Sequence, residues 1–215
     1  MLQKAKKRVR AKTKRHELFI DCFYDFIDKS NVVVKKELFA KMCKDGCKNF
    51  NKKYSCPPFS PKFNKYVKKY HKLLVLLFAI NLKQFDKFNY KPYHKIRIAN
   101  AVMKSRAEHV MRDLESKFDS FYLSTGACRL CKPCQLKFNR PCRYPQKRRY
   151  SLEALGVDCN LLSQKLFNFH LLWYEPTSNI DYTCVICALP LKRSVNEEKV
   201  TKELETHLDK LCRIR

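Results

Sequence analysis

The chain has 215 residues and a formal net charge of +26 at pH 7, and a hydrophobic content of 45% supports a folded core. This composition excludes a disordered basic tail protein. With only three glycines in the chain, a Walker loop and a G-x-G-x-x-G dinucleotide turn are excluded as well. The longest apolar run, Leu73–Ile80, is too short to span a bilayer, so we expect no membrane span.

The twelve cysteines raise the question of redox compartment. Disulfide scaffolds are usually short and secreted. No apolar signal segment follows the basic N-terminus, because Glu17, Asp21 and Asp25 interrupt the stretch Leu18–Phe26. We therefore expect a cytoplasmic protein whose cysteines are reserved for metal.

The N-terminal region divides by charge and by apolar spacing. Residues 1–16 carry eight Lys or Arg and no acid, which predicts a flexible basic arm before a single domain over 17–215. Apolar residues at helical spacing predict a helix over Glu17–Lys29, with Cys22 packed on its apolar stripe. A second short helix is predicted over Lys35–Met42.

The next stretch contains a first candidate metal site, formed by Cys43, Cys47 and Cys56. Gly46 permits the tight turn that lets two of these thiolates face one metal. Three ligands leave the fourth position undecided. It could stay open for substrate, or Cys22 or His71 could complete the site.

The middle of the chain alternates between predicted strands and helices. Leu73–Ile80 is continuously apolar, as in a strand buried on both faces, and Lys83–Lys95 is predicted to be a polar loop. Apolar residues recurring every three or four positions predict a helix over Arg97–Phe118. Phe121–Thr125 is strand-like and leads directly into Cys128.

A second candidate site follows, and its members are Cys128, Cys131, Cys134 and Cys142. A continuous C-x2-C-x2-C run is the spacing with which bacterial ferredoxins hold an iron–sulfur cluster. Structural zinc sites more often combine two separate C-x2-C pairs. The spacing therefore favours a [4Fe-4S] cluster, with zinc as the alternative. Four cations lie beside these cysteines and could raise a cluster's reduction potential, namely Arg129, Lys132, Arg140 and Arg143.

The last third of the chain is predicted from capping and spacing. Ser151 and Gly156 bound a short helix, and Asp158 caps a helix through Phe167. His170–Tyr174 and Asp181–Leu191 are predicted strands, and Glu197–Leu211 an amphipathic helix.

Two further cysteines, Cys184 and Cys187, spell C-x2-C within a predicted strand. Residues three apart on a strand point to opposite faces, so we expect both to be core thiols. Together these elements predict an α/β fold, a single mixed sheet with flanking helices, compatible with a ferredoxin-like topology. The cysteine-rich loops should lie near one end of the sheet.

The ordered combination Cys43-x3-Cys47-x6-Tyr-Ser-Cys56-Pro-Pro-Phe, then Cys128-x2-Cys131-x2-Cys134 and Pro-Cys142-x2-Pro, resembles the DUF2284 family. The segment Ser-Leu-Glu-Ala-Leu-Gly156 matches the same pattern, which covers roughly residues 40–190. Members of that family are described as predicted metal-binding proteins. The resemblance implies metal binding by these seven cysteines and implies no particular reaction.

Two classes of function follow from these observations. The first is a redox or electron-transfer protein with one or two iron–sulfur clusters, for which the positive charge suits an acidic protein partner. The second is a structural-zinc protein whose basic surface binds nucleic acid or another partner. The sequence contains no constellation for acid–base or nucleophilic catalysis, so an enzymatic role is left undecided.

Overall fold

The computed structural model describes residues 6–172 and 180–211. Its centre is a four-stranded sheet in the order β1-β2-β3-β4, and all neighbouring strands pair antiparallel. The strands are β1 (Lys7–Lys12), β2 (Glu17–Asp28), β3 (Lys72–Asn81) and β4 (Tyr182–Leu191). The α/β class with one sheet and flanking helices is confirmed. The pairing is antiparallel rather than mixed, and a ferredoxin-like topology is not confirmed.

The central strand β3 confirms the strand predicted over Leu73–Ile80. All eight residues are buried, because β2 and β4 pair with both edges and both faces are covered. Successive side chains point to opposite faces. Leu74, Leu76 and Phe78 therefore belong to one hydrophobic cluster, and their neighbours along the strand belong to the other.

The helix predicted over Glu17–Lys29 is wrong, since this stretch forms β2. Leu18, Ile20 and Cys22 alternate with more exposed residues, and the strand pairs with β1 on one side and β3 on the other. Sheet pairing overrides a spacing that also fits a helix. The expectation that Cys22 is a core thiol is confirmed, since it is fully buried.

The basic arm expected at the N-terminus is also corrected within the described residues. Lys7–Lys12 form the edge strand β1, in which Val9 and Ala11 are buried while the alternate basic residues face solvent. Arg8 pairs with Asp21 across the two strands at 2.6 Å. Because every second side chain is buried against the core, this lysine- and arginine-rich stretch stays in the sheet.

Helices lie on both faces of the sheet. The five helices of the described residues are α1 (Lys36–Gly46), α2 (Phe63–Tyr66), α3 (Pro92–Lys117), α4 (Cys159–Phe167) and α5 (Glu197–Leu211). The helices expected at α1, α3, α4 and α5 are confirmed, although α3 begins inside the predicted loop over Lys83–Lys95. Helices α3 and α5 contribute to one hydrophobic cluster with the sheet.

The other face is covered by the two long connections that carry the cysteines. The β2–β3 connection contributes buried residues such as Phe63 and Val67, and the β3–β4 connection contributes Leu123, Leu155 and Phe167. These connections therefore pack on the sheet instead of extending from it. The site is built on a rigid support.

Two predicted strands are shorter or absent. Phe121–Thr125 contributes only isolated bridges, in which Leu123 pairs with Ala188 and Ser124 with Ser151. Residues 170–172 are not in a strand, and the rest of the predicted strand His170–Tyr174 lies outside the described residues. Among the described helices, none combines the length and apolar character needed to cross a membrane.

Candidate metal centre

Helix α1 carries the first cysteine and ends just before the second. Cys43 lies in the last turn of α1, and the N–H of Cys47 donates to the Cys43 carbonyl at 3.0 Å. At the other end of α1, the ammonium of Lys36 donates to Ser60 Oγ at 2.8 Å and to the Ala154 carbonyl at 2.5 Å. Burial lowers the pKa of Lys36. These contacts fix the helix against the segment around residue 154.

Gly156 makes this close approach of α1 possible. Its φ of +95° is left-handed, and a Cβ at this position would lie 2.6 Å from the Cα of Lys36. The carbonyl of Gly156 also accepts a hydrogen bond of 2.7 Å from the N–H of Lys35. Only glycine meets both the backbone conformation and the spacing.

Cys56 lies in a compact turn after α1. It is buried, its N–H donates to the Lys53 carbonyl at 3.0 Å, and its own carbonyl accepts from Phe59 and Ser60. The N–H of Asn51 donates to the Pro57 carbonyl at 3.0 Å and closes the turn from the other side. Backbone hydrogen bonds therefore fix the turn that carries Cys56.

Three consecutive residues before Cys56 join this turn to the second cysteine loop. Lys53 Nζ donates to the Cys128 carbonyl at 2.9 Å, and Ser55 Oγ accepts from the Cys128 N–H at 2.9 Å. The hydroxyl of Tyr54 donates to the Arg140 carbonyl, also at 2.9 Å. We call this triplet the Lys53–Ser55 bridge. It brings cysteines from two distant parts of the chain onto neighbouring loops.

Electrostatic effects between thiols follow this arrangement. Burial raises the pKa of Cys43, and Cys47 and Cys56 raise it further. Burial likewise raises the pKa of Cys56, and the nearby thiols of Cys47 and Cys128 raise it further.

The second loop behaves in the same way. Burial raises the pKa of Cys128, with further contributions from Cys142 and Cys131. Cys134 lies beside Cys131 in the wall of a surface cavity of about 510 Å³. Cys43, Cys47 and Cys56 thus influence one another on one loop, and Cys128, Cys131 and Cys142 do so on the adjacent loop. Within the described residues, however, no three His, Cys, Asp or Glu side chains lie close enough to share one metal ion. The complete ligand set remains a prediction.

The two residues considered as a fourth ligand for the first site lie elsewhere. Cys22 belongs to the cluster on the opposite face of the sheet, where its thiol donates to the Ile20 carbonyl at 3.6 Å. His71 lines a different cavity together with Leu191 and Glu197. Neither residue is placed to complete the first site.

The sequence analysis did not single out Glu153, which the structure places near the first site. Its carboxylate raises the pKa of Cys43, and it is hydrogen-bonded to the buried thiol of Cys159. In the sequence, Glu153 is marked only by its position between Ser151 and Gly156, and that pattern predicts a short helix without indicating a site residue. Lys53 and Ser55 were also missed, although they lie directly before Cys56.

The cysteines of β4 confirm the expectation of core thiols. Cys187 is 1% exposed in the cluster beneath α3 and α5, and Cys184 packs against the cluster on the opposite face. Burial raises the pKa of Cys184 to about 12. Neither thiol belongs to the loops described above.

Positive charge surrounds the two loops. Residues 128–149 include eight Lys or Arg and no Asp or Glu. Lys53 lies between the two thiol groups and lowers the pKa of both Cys56 and Cys128, opposing the effect of burial. Cations in this position favour the thiolate form, which is the form that binds metal.

A rigid support, adjacent loops rich in thiols and nearby cations are the features expected of a site for a thiophilic metal, because thiolates select iron–sulfur clusters or zinc. The chain belongs to the DUF2284 family, described as predicted metal-binding proteins, and the family's sequence model matches residues 25–188. No curated protein and no solved structure matches the chain.

Proposed function

We propose that the seven cysteines hold one or two [4Fe-4S] clusters and that the protein has a redox or electron-transfer role. The observation that carries the proposal is the Lys53–Ser55 bridge, which brings two cysteine loops together although they are far apart in sequence. One cluster would use the set Cys128, Cys131, Cys134 and Cys142. A second would use the set Cys43, Cys47 and Cys56 and leave one position for a further ligand.

The charges around the loops support this proposal. A cluster held by four thiolates is anionic, and nearby cations and hydrogen bonds raise its reduction potential. Lys53 reaches the Cys128 carbonyl, and the segment 128–149 adds only positive charge. Ser55 Oγ lies 3.8 Å from Cys56 Sγ and is placed to donate a weak hydrogen bond to it. These groups would stabilise the reduced state.

A lysine surface beside the second loop suits an acidic redox partner. The cavity that contains Cys131 and Cys134 is lined by five lysines, namely Lys48, Lys52, Lys53, Lys132 and Lys137. Opposite charges steer association and fix orientation. A partner that docks here would come close to the thiols.

The same surface favours one other function, a structural-zinc protein that binds nucleic acid. Base stacking would then need free aromatic rings among the lysines. Phe63 is fully buried, and Tyr66 packs against Phe121 and Tyr150 at centroid distances of 4.5 and 5.0 Å. Tyr54 contacts Phe59 at 5.6 Å. Phe59, Phe138 and Tyr144, by contrast, are 40%, 51% and 39% exposed, so this surface does offer rings for stacking, and the identity of the metal decides between the two functions.

The test is metal content and the visible spectrum of protein purified without oxygen. We expect about four or eight irons per chain with matching sulfide, and a brown absorbance that bleaches on reduction. A colourless protein with one or two zinc ions would overturn the cluster proposal and favour the zinc alternative.

Two variants separate the sites. Cys56→Ala should remove the metal of the first site alone, whereas Cys184→Ala, which changes a thiol outside both loops, should keep the full metal content. If Cys56→Ala lost all metal while Cys184→Ala kept it, the picture of two independent sites would be wrong.

A further inference from the structure

A cavity lined by charged side chains lies directly behind the Cys128 loop. It has a volume of about 240 Å³, is open to solvent on one side and lies between α3 and the segment that leads into Cys128. Its walls include four cations, one carboxylate and a predicted metal ligand, which are Lys104, Arg112, Arg129, Arg149, Glu108 and Cys128. The size suits a small molecule, since sites for drug-sized ligands usually start near about 300 Å³.

Two of the four cations are already neutralised. Arg149 donates to both oxygens of the buried Glu115 at 2.7 and 2.9 Å. Arg112 donates to Glu115 at 3.1 Å and to Glu108 at 3.4 Å. These two carboxylates therefore balance the two arginines, and the charges of Lys104 and Arg129 remain.

Lys104 is an unusual lysine for this surface. It is partly buried, and it makes no hydrogen bond or ion pair with any residue in the described part of the chain. Burial and the positive charge of Arg129 lower the pKa of Lys104, whereas the carboxylate of Glu153 acts in the opposite direction without forming an ion pair. A desolvated ammonium without a partner costs free energy, and a bound anion would offset this cost.

The backbone leaves room for such an anion. Gly126 has a φ of +139°, and a Cβ there would lie 3.6 Å from Lys104 Nζ, so the absence of a side chain keeps the space next to the ammonium open. Ser124 and Thr125 also line the cavity. The Ser124 hydroxyl donates to the Gly126 carbonyl at 2.9 Å and fixes this turn.

We propose that this cavity binds a small oxyanion, a carboxylate or a phosphate, between Lys104 and Arg129 and next to Cys128. The ammonium and the guanidinium donate charge-assisted hydrogen bonds to the oxygens, and the Thr125 hydroxyl supplies a neutral partner. The ligand then lies against the loop that carries the second set of cysteines. This proposal goes beyond metal binding and does not depend on which metal the cysteines hold.

The test measures anion binding by the protein as purified, with whatever metal it carries. Inorganic phosphate and succinate are titrated separately by calorimetry at constant ionic strength, and the probe that binds identifies the source of the oxyanion. Lys104→Met should weaken binding about ten-fold or more, because it removes a charge-assisted hydrogen bond. Lys104→Arg should restore most of the affinity, and metal content should stay unchanged in both variants.

The matched control is Lys91→Met, which removes one positive charge at the exposed start of the same helix, about 20 Å along its axis. It should bind like the unmodified protein. If Lys104→Met fails to fold, the exposed Arg129→Met is measured in its place with the same expectation. Absence of binding to both probes at millimolar concentration, or equal weakening by Lys91→Met, would overturn the proposal.

Discussion

The backbone N–H of Cys128 donates a hydrogen bond of 2.9 Å to the side chain of Ser55, 73 residues earlier in the chain. Ser55 is 1% exposed, and its hydroxyl also lies 3.8 Å from the thiol of Cys56. One hydroxyl group thus contacts a predicted ligand in each of the two loops. This contact connects the two sets of cysteines more directly than any other described hydrogen bond.

Ser55→Ala should therefore disturb the metal centre more than its small change in volume suggests. The Cys128 N–H would lose its partner in a partly buried position, at a cost of about 1–3 kcal/mol. We expect weaker metal retention, measured by competition with a chelator. Ser105→Ala, at an exposed position of α3, is the control. Equal retention in the two variants would show that the bridge does not support the site.

Gly156→Ala should lower the thermal stability. The new Cβ would lie 2.6 Å from the Lys36 Cα in a left-handed conformation, which by itself costs about 1–2 kcal/mol. Gly46→Ala is the matched control, because nothing lies within 4 Å of its Cβ position and it ends a helix. That change should be neutral or slightly stabilising. Comparable melting temperatures for the two variants would contradict the close approach of α1.

Glu115→Gln should destabilise the fold and loosen the end of the second cysteine loop. The buried carboxylate binds Arg149, Arg112 and the Tyr122 N–H, the last at 2.8 Å. Loss of its charge leaves Arg149 without a balancing anion and Arg112 with Glu108 alone, and we expect a cost of about 2 kcal/mol or more in the free energy of unfolding, measured in urea.

The control for this prediction is Asp119→Asn, which removes an exposed carboxylate paired with Lys192. The residue has a φ of +46°, which asparagine tolerates. Its midpoint should match that of the unmodified protein. A midpoint for Glu115→Gln equal to that of Asp119→Asn would show that the buried network adds no stability.

Alkylation with iodoacetamide should distinguish the buried cysteines from the accessible ones. The buried thiols Cys22, Cys159 and Cys187 should stay unmodified in folded protein. Cys47 and Cys131 are accessible and should react after metal removal but be protected while metal is bound. Mass spectrometry of peptides identifies each site. Fast reaction of Cys187, or no protection of Cys131 by metal, would contradict the assignment.

The features that the sequence predicted well are those with strong local signals. The eight apolar residues of Leu73–Ile80 could only be buried on both faces, and Asp158 caps α4 by accepting from the Leu161 N–H at 3.1 Å. The same helix shows the limit of periodicity, since Leu161 is next to the buried Leu162 in an apolar stretch and is nevertheless 40% exposed. Local patterns predict the type of an element better than the environment of each side chain.

Where the sequence misled, a long-range partner decided the outcome. The apolar residues of Glu17–Asp28 fit a helix and a strand, and pairing with β1 and β3 selected the strand. The basic residues of Lys7–Lys12 resembled a flexible arm, because the alternate burial of Val9 and Ala11 depends on the same pairing. Pairing between strands that are distant in sequence cannot be predicted from a short stretch of the chain.

The sequence alone therefore identified the seven cysteines as a candidate metal-binding set, because spacings typical of metal ligands can be recognised within short stretches of the chain. It also determined most helices and the central strand. Only the tertiary structure decided that Lys53 and Ser55 join the two loops, that Cys22 and His71 lie elsewhere, and that Lys104 faces a cavity behind Cys128. Each of those relationships depends on residues that the chain brings together only on folding.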